Sequence, residues 1–202
     1  MKKIFSKSDS RTKSSNKKFK DGNKAKSRNK SRSNISENLF LARNNEKILE
    51  MHNSFKLKIE LVPKPSWGNN VRNKISKKSW DDIREKVFKI ANYSCEICGQ
   101  KGNSKTLHCH EVWSYDETKL IQKLTNLQSL CSNCHGVKHI GRSLSLKNID
   151  REKVLKHFKE INQINDTIAN QVIVSLLQQW NGRNKKKWKL DFSYLKIYNI
   201  KL

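Results

Sequence analysis

No run of about 18 apolar residues occurs in the 202-residue sequence, so no membrane-spanning helix is expected. The opening MKKIFSKSDSRTKSSNKKFK has no apolar stretch behind its lysines, which argues against a secretory signal peptide. No lipidation motif or amphipathic apolar face accompanies that basic start, so membrane-surface binding is set aside. No internal repeat is present. Acidic residues are scarce: 18 Asp and Glu stand against 43 Lys and Arg, for a formal charge of +25 and a pI near 10.0. That imbalance implies a polyanionic partner, nucleic acid before an anionic membrane surface. The five cysteines are an odd number and lack an export signal, which points to a reducing compartment. The protein is therefore expected to be soluble and cytoplasmic.

Residues 1–33 hold 13 of the basic residues and two Asp, a local charge of +11, with hardly any apolar side chain. Such a segment cannot bury enough apolar area to offset its ordering entropy, so it reads as a disordered basic tail able to touch phosphates. From Ser36 the pattern changes. SENLFLARNNEKILEMH shows helical spacing, and FKLKIELVP alternates Phe55, Leu57, Ile59 and Leu61 as a half-buried strand does, with Pro63 and Pro65 ending it. Ser79, with Asp82 three residues on, predicts the start of a helix that turns Trp80, Ile83, Val87 and Ile90 inward and delivers the chain to Cys95. Past the cysteines, Asp150 can cap REKVLKHFKEINQI, with Val154, Leu155, Phe158 and Ile161 inward. DTIANQVIVSLLQQW predicts a further helix and WKLDFSYLKIY a closing strand.

Cys95-Glu-Ile-Cys98-Gly99 and Cys131-Ser-Asn-Cys134-His135 carry the spacing that lets two thiolates from one tight turn chelate one ion. Gly99 eases the first turn. Two such pairs supply the closed tetrahedral set of a structural Zn2+ site. The 32 residues between the pairs exceed what a plain zinc ribbon needs. They include His108, Cys109, His110, Glu111 and Asp116. His135 and His139, four apart just beyond, share a face if helical. Phosphodiester hydrolysis needs a base, a cation for the developing charge, and a means of orienting the base. A strand histidine and a helix histidine pinned together by zinc would provide them.

The order His110, Asn126 in NLQSLC, and His135 after the second C-x-x-C resembles the HNH endonuclease family, in its version with two zinc knuckles. The resemblance covers residues 93–142, and LVPKPSWG and HEVWSYDE are similar to segments of a group of small bacterial proteins built on this core. It implies an α+β fold: a ββα-metal, treble-clef-like core at 93–145. Around it stand the tail at 1–33, a strand and helix extension at 34–92, and C-terminal helices with a closing strand at 146–202. It also implies that His110 is the general base, that Asn126 orients it, and that His135 with His139 binds the catalytic ion. That ion would be Mg2+, Mn2+, Zn2+ or Ni2+. The family usually places Asp or His directly before the base as a further ligand; Cys109 stands there. Cys109 ligates a thiophilic ion, or His108, Glu111 or Asp116 replaces it, or the site is lost; a small buried hydrophobe is the remaining reading. Glu111 could orient the base, while Lys138 and Arg142 are candidate phosphate contacts. Trp113 and Tyr115 are expected to pack, and His52 and His157 to be ordinary residues. The resemblance implies a metal-dependent endonuclease cutting DNA, with RNA also compatible. The alternative is an inactive, zinc-stabilised nucleic-acid-binding protein.

Overall fold

The computed structural model describes residues 42–141 and 151–200. The basic segment 1–33, Arg142 and the Asp150 cap lie outside them. The described residues from Asn45 onward belong to one unit. Helix α1 covers residues 42–54. FKLKIELVP, whose alternation predicts a strand, bends at Lys56 and Leu57 and runs on from Lys58 outside any ladder. Its period is nonetheless real, because Leu57, Ile59 and Pro63 are buried. Its backbone groups find other partners: the Leu57 amide donates to Asn162 Oδ1 at 3.0 Å, the Ile59 amide to His52 Nε2 at 2.9 Å, and the Glu60 amide to the Lys138 carbonyl at 2.9 Å. Alternation reports alternating burial, and here helices rather than a neighbouring strand provide it.

Short 3-10 turns at Lys64–Ser66 and Val71–Asn73 lead into α2, Lys77–Ile90. Ser76, not Ser79, caps that helix; its hydroxyl accepts from the Ser79 amide at 3.0 Å. Ile83, Val87 and Phe88 turn inward while Ile90, the last helical residue, is exposed. Two left-handed residues, Asn92 and Tyr93, then aim the chain at Cys95. Strand β1, Leu107–Asp116, pairs antiparallel with β2, Ile121–Cys131, and α3, Ser132–Lys138, follows without a loop. The hairpin turn is closed by Asp116, whose Oδ1 accepts from the amides of Thr118 and Lys119.

Helices α4, Arg151–Asn162, and α5, Asp166–Arg183, match the two patterns read in the sequence. The expected closing strand shrinks to β3, Lys189–Asp191, parallel to β2, before a 3-10 segment at Ser193–Tyr198 buries Leu195. The sheet order is β1-β2-β3, which leaves β1 on an edge. The fold is α+β, a small sheet with helices around it. One apolar cluster joins Leu57, Ile59, the knuckle cysteines, Leu130, Val137, Phe158 and Val172. A second gathers Val71, Ile83, Val87, Leu124, Leu127 and Leu195.

Candidate metal centres

The two knuckles converge. Sγ atoms of Cys95, Cys98, Cys131 and Cys134 lie within 4.8 Å of one another. Gly99, at φ 80°, provides the turn expected of it, its amide donating to the Cys95 carbonyl at 2.8 Å. Cys131 is also the N-cap of α3, its sulfur accepting from the Cys134 amide at 3.5 Å. Crowding sets the thiols against each other: the Cys131 and Cys95 sulfurs push Cys134 far above its ordinary range. Four thiols so close cannot all lose their protons without a cation, and four sulfurs at this spacing suit a tetrahedral Zn2+. His157, which the sequence offers no reason to single out, places Nε2 3.1 Å from Cys134 Sγ, an outer partner for that thiolate.

A second donor group lies beside the first. His110 on β1, His135 on α3 and His139 at the end of α3 hold ring nitrogens within 4.8 Å of one another. Strand alternation explains the first of these. His108 and His110 point toward α3, and Cys109 and Glu111 point away. His108 stacks on His135 with ring centroids 4.5 Å apart and planes 3° from parallel, while its Nε2 lies 3.2 Å from Ser132 Oγ. Burial lowers the His108 pKa. His110 is 2% exposed; its Nε2 lies 3.0 Å from Glu60 Oε2, and its Nδ1 is buried without a hydrogen-bond partner. A buried, unpartnered nitrogen on a ring that packs against two other imidazoles fits a metal ligand.

Several residues singled out in the sequence stand elsewhere. Cys109 packs with the second apolar cluster, and burial pushes its thiol up to about 12. Glu111 does not orient His110; its Oε1 accepts from the Val71 amide at 2.8 Å, and burial raises its pKa to about 7. Asp116 closes the hairpin turn. Asn126 sits on β2 opposite Val112, its Oδ1 accepting from the Tyr194 hydroxyl at 2.8 Å and the Leu127 amide at 2.9 Å. Lys138, a candidate phosphate contact, is 5% exposed, with Nζ 2.6 Å from Glu60 Oε1 in an internal ion pair. Trp113 and Tyr115 pack, as expected, on Phe192 and Trp188.

Glu60 is the residue that sequence reading missed. It lay inside an apparent strand, 50 positions before His110, with no motif to mark it. Burial works to raise its pKa, but the hydrogen bond with His110 and the Lys138 ammonium bring it down to about 2. His52 is also buried. It is 5% exposed, and burial with the Lys58 charge lowers its pKa to about 4.

His135, His139 and the two histidines of β1 open on one cleft of about 1310 Å³ that also reaches Arg72, Lys77 and Arg84. Among the described residues no helix is long and apolar enough to cross a membrane. No curated protein and no solved structure matches the chain. Residues 95–141, which hold both knuckles, the hairpin and all three clustered histidines, match the family model of the HNH endonucleases.

Proposed function

We propose that the protein is a metal-dependent HNH endonuclease acting on DNA, with His110, His135 and His139 as ligands of the working ion. The observation that carries this reading is the mutual approach of the three ring nitrogens within 4.8 Å, while Cys109 faces the other side of the strand. A divalent ion held there would supply charge stabilisation to phosphorus and to the leaving oxygen. Three imidazoles suit zinc and nickel better than an all-oxygen set would. His108 lies outside the three-ligand group yet stacks against it, so it is the imidazole left to take a proton from the attacking water. Its lowered pKa keeps it neutral, hence basic, at pH 7. His110 thereby moves from the base to the ligand set. Products would carry a 5′ phosphate and a 3′ hydroxyl, as the family resemblance implies. A surplus of +25 charges would supply most of the affinity through phosphate contacts.

Nicking of a supercoiled plasmid with magnesium, manganese, zinc and nickel in turn tests the reading, alongside a count of bound ions. His108→Ala is expected to lose cleavage by about 10²–10⁴-fold while still binding two ions per chain. His110→Ala is expected to lose the second ion. A His110→Ala protein that keeps both ions yet cannot cleave would return the base role to His110. Tight DNA binding with no cleavage under any ion would defeat the enzyme reading.

A further inference from the structure

We propose that Glu60 is the positioning residue of the three-histidine centre: its carboxylate fixes the tautomer and ring orientation of His110 so that Nδ1 faces the ion. The assignment rests on the three-histidine reading above. Glu60 lies outside the segment that matches the nuclease family and reaches the centre from the extended chain before the 3-10 turns.

Each oxygen of its carboxylate has one task. Oε2 lies 3.0 Å from His110 Nε2, and Oε1 lies 2.6 Å from Lys138 Nζ. Lys138 immediately precedes His139 and follows His135 by three positions, so the carboxylate joins the strand and helix that carry the ligands. The backbone repeats the link, with the Glu60 amide donating to the Lys138 carbonyl at 2.9 Å. A carboxylate can only accept, so Nε2 of His110 must carry the proton, and in the neutral ring Nδ1 then carries the lone pair. Nδ1 is the nitrogen left buried and unpartnered. With no acceptor at Nε2, the neutral ring could place its proton on Nδ1, and a protonated nitrogen cannot ligate. A carboxylate behind a ligating imidazole is how many metal sites set tautomer and basicity. A second role, joining His110 to Lys138 for stability alone, would leave ion affinity and tautomer untouched.

Glu60→Gln separates the two roles. The amide is nearly isosteric, and the backbone bond to Lys138 remains. Full-length protein carrying zinc only at the four cysteines is titrated with Co2+ by calorimetry, reading the second site. The expected result is an affinity about 10–100-fold weaker than wild type, with the first zinc retained. An affinity within twofold of wild type, in a variant of normal stability, overturns the proposal. A measurement on wild-type protein needs no variant: long-range 1H–15N correlation before cobalt is added should show His110 protonated at Nε2 with a bare Nδ1. A proton on Nδ1 overturns the proposal even if Glu60→Gln fails to fold. His110→Ala distinguishes the two levels of failure. If wild type takes up no second ion, or His110→Ala binds it normally, the three-histidine reading falls and Glu60 with it. If His110→Ala loses the ion and Glu60→Gln does not, only the Glu60 assignment falls.

Discussion

Cys109 shows how one residue's neighbours decide its chemistry. A soft sulfur beside a histidine suggests a ligand, but a thiol pushed up to about 12 by burial keeps its proton at neutral pH. Cys109→Ala should therefore bind two ions per chain, as wild type does; loss of the second on elemental analysis would return the sulfur to the site. Asn126 makes its bonds to Tyr194 and the Leu127 amide. Asn126→Ala should cost about 1–3 kcal/mol in denaturant unfolding by leaving those donors unpaired, with the ion count unchanged. His52 gives a pH signature. Its folded pKa of about 4 lies below the ordinary 6.5, so between those values the unfolded chain binds more protons. Its contribution is present above pH 6.5 and is lost as pH falls toward 4. The melting temperature of zinc-saturated protein should therefore fall over that window, and less steeply in His52→Gln. Equal slopes would show that His52 does not drive the change.

At the scale of elements, side-chain caps and sulfur bonds hold pieces too short to stand alone. Helix α3 has seven residues, too few to persist in water without tertiary support. Its first turn is capped by Cys131, so the helix that carries His135 begins at the knuckle itself. Helix α2 depends on Ser76 in the ordinary way: Ser76→Ala should destabilise by about 1 kcal/mol and Ser79→Ala by less. The reverse order on thermal melting would restore Ser79 as the cap. The sequence points to Ser79 because Asp82 follows it three residues on. The structure places Ser76 at the N-cap instead, with extended dihedrals of φ -63° and ψ 152°. FKLKIELVP taught the same lesson, because its period was read correctly while its partner was not a strand.

Across the whole molecule, the four cysteines sit within the larger apolar cluster, among residues of the extended segment and of α4 and α5. Metal bound by ligands so placed is folding energy for everything packed on them. Removing zinc with a strong chelator, or Cys134→Ser, should unfold α4 and α5 together with the matched segment in one transition. The far-UV circular dichroism loss should then exceed what α3 alone could give. Helices α4 and α5 that survive zinc removal intact would show that the clusters are independent. Affinity for DNA should fall steeply with salt, as counterion release demands of a +25 chain.

The sequence by itself determined the strong positive charge, the four cysteines that cluster, the two C-terminal helices and the spacing of the histidines. Those properties are local: a C-x-x-C turn, a helical period and an i to i+4 spacing are complete within a few residues. Tertiary structure decided which side of β1 each residue faces relative to α3. It thereby grouped His110 with His135 and His139, and sent Cys109 and Glu111 to the opposite face. It also brought Glu60 and Lys138, 78 positions apart, to one buried ion pair behind His110. No spacing rule links such residues, because their distance is set by how helix, hairpin and extended chain pack, and packing is a property of the assembled surfaces.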